Sequence, residues 1–122
     1  MPTITMTVRG SEQLRRNLER LAGNERLTAQ RRGLEAGARI VEAEAKLICP
    51  VDTGTLRASI GVDEVTPEQA IIAPHTEYAE IVEFGYGQPA QPYMRPAMDE
   101  HEREIVGAVE ATVAAFVESV RA

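Results

Sequence analysis

The side chains best suited to catalysis or metal binding are two histidines and a single cysteine, and their spacing supports neither role. His101 lies three residues before Glu104, and His75 precedes a run of glutamates. A zinc hydrolase would hold two histidines at a fixed spacing, as in His-Glu-x-x-His, together with a third ligand. The sequence has no such pattern, and nothing in it positions a base beside Cys49 to make that thiol a nucleophile. We therefore predict no catalytic residue, no metal and no cofactor.

One further segment could carry chemistry: Asp52, Thr53 and Gly54 resemble the Asp-Thr-Gly loop of aspartic proteases. Those enzymes pair two such loops so that two carboxylates share a proton, and a dimer would supply the second copy. The surrounding sequence is helical, whereas these proteases flank the loop with strands. The sequence therefore favours a structural role, in which Asp52 caps a turn and Gly54 supplies a backbone angle that other residues resist.

The composition predicts one domain spanning residues 1–122, with a core built from aliphatic side chains. The chain contains two Phe, three Tyr and no Trp, while 43 % of its residues are hydrophobic. Its net charge of −6 argues against specific nucleic-acid binding, because phosphate contacts require clustered Lys and Arg. A signal peptide and an apolar run of the roughly 18–20 residues that a membrane span needs are both missing. We expect a soluble protein, made in the cytoplasm, that does not bind membranes.

The charges are unevenly distributed along the chain. Residues 1–50 hold nine basic and six acidic side chains, whereas residues 51–122 hold four basic and thirteen acidic ones. This distribution suits contacts between opposite charges on neighbouring copies, although two solvated faces would give the same pattern. The basic face comprises Arg15, Arg16, Arg31, Arg32 and Arg39, and the opposing carboxylates are Glu77, Glu80 and Asp99.

Hydrophobic periodicity and turn residues divide the chain into helices and short strands. Alternating β-branched residues predict a strand at residues 3–8, and Ser11 begins a helix that ends at Gly23 and Asn24. A second helix spans residues 25–47 and is stopped by Pro50. The remaining elements are strands at 56–63 and 69–73, a short element at 78–84 that is a helix or a strand, with helix favoured, a loop at 85–92 and a last helix of about 25 residues from Arg95, with Pro96 in its first turn.

Both long helices carry an apolar stripe. In the helix at 25–47 the stripe recurs every seven residues, at Leu27, Leu34, Val41 and Ile48. The middle of this helix has only small side chains, at Gly33, Ala36, Gly37 and Ala38. The helix is therefore thin there, and another backbone can approach it closely. The last helix has its stripe at Ile105, Val109, Val113, Phe116 and Val120. We expect these surfaces to be buried between copies of the chain.

Three blocks of sequence, read in order, resemble a known pattern. They are residues 49–60, which follow the long helix, residues 78–85, and residues 91–97, which open the last helix. Together they resemble the head–tail joining, or tail-completion, family of siphophages and related prophage-like particles. Each block is short, and their shared order makes the resemblance specific.

The resemblance implies an α+β subunit with a small antiparallel sheet packed against a long helix and with a long amphipathic C-terminal helix. It implies a ring of six copies, or alternatively twelve, at the virion neck, between the head connector or stopper and the tail tube. DNA would pass through the ring, and assembly would take place in the bacterial host. Twelve Arg against one Lys indicate a GC-rich source, so a gene-transfer particle is an alternative to a phage.

The resemblance also assigns roles to particular residues. Its structural motif comprises Pro50, Asp52, Thr53, Gly54, Leu56, Arg57, Tyr78, Glu83, Phe84, Gly85, Pro92, Arg95 and Pro96. Glu83 would bind backbone N–H groups or Arg57, and Tyr86 stands where the family often has a small hydroxyl residue. The expected contacts between subunits or rings are Arg31, Arg32, Glu77, Glu80, Tyr86, Gln88, Gln91 and Tyr93, with the loop at 85–92 facing a neighbouring ring.

A different class of function fits the same sequence. A small cytoplasmic adaptor or regulator would dimerise through the apolar stripe of the last helix. Such a protein would form dimers of modest size and would not associate with virions. An enzyme is the least favoured interpretation.

Overall fold

A computed structural model describes residues 2–8, 11–51 and 54–121 and has the predicted α+β architecture. Asp52 and Thr53, for which a turn was predicted, lie outside these residues. The elements in chain order are β1 (Ile4–Met6), α1 (Glu12–Glu19), α2 (Gly23–Ile48), α3 (Thr55–Ser59), β2 (Gly61–Val65), β3 (Ala70–Ala73), α4 (Ala79–Phe84), α5 (Met94–Asp99) and α6 (Glu102–Arg121).

The sheet has three antiparallel strands in the order β1-β3-β2. Strand β3 is central because its Ala-Ile-Ile-Ala sequence tolerates burial along most of its length. Ile4 pairs with Ile72 on one side, and Gly61 pairs with Ala73 on the other. The register of β2 shifts at Asp63, which forms a bulge. The sheet packs against α2, as the sequence predicted.

Helix α6 lies antiparallel to α2 in the closest helix contact of the fold. Gly33 faces Val109 and Val113, whereas Gly37 faces Ile105 and Val109. A Cβ on either glycine would lie 3.0–3.1 Å from the nearest methyl groups, so glycine allows this approach without displacing them. The thin helix middle was therefore predicted correctly, but its expected burial between copies was wrong, since the chain's own α6 covers it.

Two apolar clusters form the core of the described residues. The larger one joins the sheet to the C-terminal half of α2 and to α3, α4 and α5. The smaller one joins α1, the start of α2 and the C-terminal half of α6 through Leu14, Leu21, Ala29, Val113 and Val117. Ser11 links α1 to α6 beside this second cluster. Its hydroxyl accepts from the Leu14 N–H at the start of α1 and donates to the Glu110 carboxylate of α6 at 2.7 Å.

The segment after the long helix differs from the sequence prediction. A strand was expected at residues 56–63, but residues Thr55–Ser59 form α3 and the strand begins only at Gly61. Leu56 turns into the core at the start of this helical turn. The Ser59 hydroxyl donates to the Leu56 carbonyl at 2.7 Å, which satisfies a backbone acceptor that a strand would have paired.

The predicted last helix is divided in two. α5 ends at Asp99 and α6 begins at Glu102, because His101 turns toward α2 instead of continuing the helix. Its Nε2 lies 3.2 Å from Glu44, and its Nδ1 lies 3.3 Å from Glu104.

Some stripe positions at the helix ends are exposed within the subunit. Leu27 and Ile48 of α2 are 45 % and 41 % exposed, and Val120 of α6 is 38 % exposed. A straight helix drifts by about 20° for each seven-residue repeat, so the ends of such a stripe rotate off the buried face. Gly23 was also expected to end the first helix, yet α1 stops at Glu19 and Gly23 opens α2.

No helix within residues 2–8, 11–51 and 54–121 has the combination of length and apolar character that spanning a lipid bilayer requires.

The contact between α2 and α6 makes a testable prediction. Gly37→Leu should destabilise the fold by about 1–3 kcal/mol, because the larger side chain must displace Met6 and Ile105. Gly107→Ala should instead stabilise it by about 0.5–1 kcal/mol, since this exposed helical glycine has open space at its Cβ. Urea unfolding followed by circular dichroism measures both. Equal stability of the two variants would contradict the proposed packing.

Candidate functional site

The first two sequence blocks meet at an open cleft of about 640 Å³. Residues of the first block, just after the end of α2, form one wall of the cleft. Tyr78 and Val82 of the second block form the opposite wall. The residues contributed by the first block are Pro50, Val51, Gly54, Thr55 and Leu56. The lining is mainly apolar, which suits contact with an apolar surface of another protein.

Backbone geometry fixes the first wall of the cleft. Helix α2 ends at Ile48, and Cys49 adopts an extended conformation that leads into Pro50. Gly54 then adopts a left-handed conformation with φ of 85°, as the sequence predicted, and starts α3. Arg57 on α3 is exposed.

Glu83 joins the second block to the third. Its buried carboxylate accepts from the N–H groups of Tyr93, Met94 and Arg95, at 3.0, 2.9 and 3.3 Å. These are the first N–H groups of α5, which lack partners within that helix. Pro96 follows and has no N–H to satisfy. One carboxylate therefore satisfies the start of α5, and it binds backbone groups instead of Arg57.

Tyr93 strengthens the same junction from the other side. Its side chain is fully buried, and its hydroxyl donates to the Ala79 carbonyl at 3.1 Å. Burial raises the pKa of this phenol far above its usual value, so the hydroxyl stays protonated and able to donate. The predicted contact of Tyr93 with another subunit is therefore wrong for this conformation, because the side chain fills the core between α4 and α5.

The loop between α4 and α5 folds back on α4. The Gly85 N–H donates to Ile81 at 2.8 Å, and the Gln91 N–H donates to Val82 at 2.8 Å. Gly85 has a φ of 90°, and a Cβ there would lie 2.6 Å from the Gln88 carbonyl oxygen. The loop predicted to be irregular is therefore tightly constrained at both ends.

The predicted contact residues in this loop are at the surface. Tyr86, Gln88, Gln91 and Pro92 are exposed. Tyr86 also contacts the Phe84 ring, with 6.1 Å between ring centroids, and donates to Glu80 at 3.0 Å. These contacts fix the side chain of Tyr86, the residue for which the resemblance led us to expect a small hydroxyl residue.

Exposed apolar side chains are concentrated in one part of the sequence. Among the described residues, nine large hydrophobic side chains are exposed, and seven of them lie between positions 47 and 86. Those seven are Leu47, Ile48, Val51, Tyr78, Ile81, Phe84 and Tyr86. Two of the seven, Val51 and Tyr78, line the cleft. Exposed apolar surface at a cleft is typical of a site of protein association.

The basic face predicted from the sequence is partly neutralised within the subunit. Arg15 pairs with Glu12 and Glu19, and Arg39 pairs with Glu35 and Glu42.

Arg31 and Arg32 differ from the other members of that face, since neither forms an ion pair within the described part of the chain. The Arg32 guanidinium lies over the Phe116 ring, 5.1 Å from its centroid. Of the five arginines, Arg31 and Arg32 therefore have the most charge available for an external partner.

The histidines and the cysteine have structural contacts. His75 Nε2 lies 2.8 Å from Asp63, while the Ser59 hydroxyl accepts from the His75 backbone N–H, so these residues do not form a catalytic triad. His101 has a carboxylate at each ring nitrogen, Glu44 at 3.2 Å and Glu104 at 3.3 Å. Burial raises the pKa of Cys49 and keeps its thiol protonated.

Replacing Glu83 tests its role as the cap of α5. Glu83→Ala should cost about 2–4 kcal/mol, because it leaves several N–H groups without an acceptor where water has little access. Glu83→Gln should cost less, since the amide oxygen can still accept from Tyr93 and Met94. Exposed Glu77→Ala should change stability by no more than about 0.5 kcal/mol. Denaturant unfolding checks this ranking, and a Glu83→Ala variant as stable as Glu77→Ala would refute the cap.

Two left-handed glycines provide a matched comparison. Gly54→Val should destabilise the fold by more than about 1 kcal/mol, because β-branched residues resist this conformation. Gly85→Ala should cost more than Gly54→Ala, since only Gly85 has backbone atoms where a Cβ would lie. Thermal melts of the three variants measure these differences. Unchanged melting temperatures would contradict the structural interpretation of both blocks.

Comparison with protein families gives one match, over residues 12–85, to a family described as "Bacteriophage HK97-gp10, putative tail-component". The match covers more than half of the chain and extends from α1 to Gly85, so it includes both walls of the cleft and Glu83. No curated protein and no solved structure matches the chain. The chain therefore belongs to the HK97-gp10-like family of bacteriophage tail components.

Proposed function

We propose that this chain is a non-enzymatic subunit of a ring at the phage neck, where it completes the tail and joins it to the head connector. One observation carries the proposal: seven exposed large hydrophobic side chains lie between positions 47 and 86, and Val51 and Tyr78 among them line the cleft. The subunit buries its own core between α2 and α6, so this remaining surface is available for assembly. Six copies are the favoured number by family resemblance, and twelve are the alternative.

The two exposed parts of the site suit different neighbours. The cleft is concave and apolar, and therefore suits a copy within the same ring. The loop from Gly85 to Pro92 presents Tyr86, Gln88 and Gln91, which combine an aromatic ring with amide groups. Such a surface suits an adjacent ring formed by the stopper or by the tail tube. DNA would pass through the central opening without sequence-specific contacts.

The dimeric regulator receives no support from the fold. Its dimer would need the apolar stripe of α6, yet Ile105, Val109 and Val113 of that stripe are at most 4 % exposed within the subunit, and among its large side chains Val120 at the helix end is 38 % exposed. Exposing that stripe would open both core clusters.

Imaging and charge reversal together test the ring. Negative-stain images of purified neck complexes should show a ring that disappears when this protein is omitted, even if the free subunit is monomeric. The variant with both Arg31→Glu and Arg32→Glu should assemble less well while keeping wild-type circular dichroism. Each exposed ion pair contributes about 0–1 kcal/mol, so the charges orient subunits while apolar contacts supply most of the affinity.

Salt provides the control for the charge argument. Screening acts over about 8–10 Å near physiological ionic strength, so salt should slow and weaken assembly without abolishing it. If sedimentation shows wild-type assembly by the double variant at low and high salt, the basic face is only solvated. A neck complex that contains the protein but no ring would contradict the proposed function itself.

A further inference from the structure

The antiparallel contact between α2 and α6 gives the subunit two distinct ends. Glu44 lies beside His101 near one end, whereas Gly33 lies beside Val113 toward the other. The start of α2 and the end of α6 therefore lie together at the other end of the subunit. This end is about 30 Å from the cleft along α2. We refer to this region, with Arg26, Leu27, Arg31, Val120 and Arg121, as the basic end.

Among the described residues, the basic end carries the two exposed large hydrophobic side chains that lie outside positions 47–86. These are Leu27, which is 45 % exposed, and Val120, which is 38 % exposed. Leu27 and Arg31 are four residues apart on α2, so they lie on one face of the helix. An apolar contact and a positive charge are therefore presented together.

The cleft offers the complementary combination. Val51 is 54 % exposed and Tyr78 is 41 % exposed. Exposed Glu77 and Glu80 flank Tyr78 in the sequence, so carboxylates lie beside the apolar wall. Glu80 also accepts from Tyr86.

We propose that the cleft binds the basic end of a second copy of this chain, so that subunits associate head to tail. This inference rests on the proposed ring and identifies the partner of the cleft. Leu27 and Val120 would contact Val51 and Tyr78, while Arg31 faces the carboxylates at the rim.

Charge selects this arrangement over symmetric pairing. Two clefts placed face to face would bring together the carboxylates of Glu77 and Glu80, and two basic ends would bring together arginines. Unlike ends combine apolar contact with opposite net charge, because Arg26, Arg31 and Arg121 outnumber Glu25 and Glu118 at the basic end, while Glu77 and Glu80 outnumber Arg57 beside the cleft. Such a heterologous interface closes into a ring when successive rotations sum to a full turn.

Trapping of neighbouring copies tests the contact. A Leu27→Cys chain and a Val51→Cys chain are mixed with a short bismaleimide, which captures even transient association covalently. The mixture should yield covalent dimers, whereas either variant alone should remain monomeric. The chain carrying both substitutions should give a ladder that ends at the ring number. Cys49 is buried, so the wild-type chain should give no product.

Matched controls separate the contact from random collision. Gly107→Cys places a thiol on the exposed middle of α6, and its mixture with Val51→Cys should yield only background. Adding Arg31→Glu and Arg32→Glu to the Leu27→Cys chain should lower the yield about fivefold at low salt.

Two results would overturn the inference: a mixture yield no higher than the Gly107→Cys control, or dimers formed mainly by either single variant. If either result is obtained but neck complexes still contain a ring, the proposed function stands and only this interface is rejected. A missing ring would reject the proposed function separately.

Discussion

The hydrogen bonds from the start of α5 to the buried Glu83 carboxylate hold the functional region together. A six-residue helix has little stability of its own, because most of its N–H and C=O groups lack partners within the helix. Glu83 accepts from three of these N–H groups. Since Glu83 belongs to α4, the same contact fixes α4 against α5 and closes the intervening loop. Tyr93 can then fill the core, and Tyr78, Ile81 and Phe84 can remain outside.

The close packing of α2 with α6 has a second consequence for function. Glycines at positions 33 and 37 let α6 cover the long helix, so the subunit completes its core without a partner. Assembly as proposed then depends on side chains that folding leaves exposed, and two of these, Val51 and Tyr78, line the cleft. A subunit of this kind can fold first and dock afterwards, as a protein added to a growing particle requires.

The long elements could be predicted because their patterns repeat over many residues. The thin middle of α2, the short helix α4 and the central strand β3 all follow from local sequence. Helix α3 could not be predicted, because residues 55–59 combine helical and strand-forming side chains and a buried Leu56 decides between them. The break at His101 depends on Glu44, which lies 57 positions earlier in the chain.

The site was predicted in part, for similar reasons. The sequence identified Glu83 and Gly54, but it could not assign the Glu83 carboxylate to backbone groups rather than to Arg57. It placed Tyr93 at the surface, because an aromatic residue in a proline-rich loop gives no local sign of burial. The cleft itself arises from two segments separated by more than 20 residues, and only the fold brings them together.

Amide hydrogen exchange of the free subunit tests most directly whether Glu83 preorganises this region. The account predicts that the N–H groups of Tyr93 and Met94 exchange only through global unfolding, at rates similar to those of buried amides in the middle of α2. Exchange of these two amides at the rate of an unstructured loop, while α2 stays protected, would contradict the account.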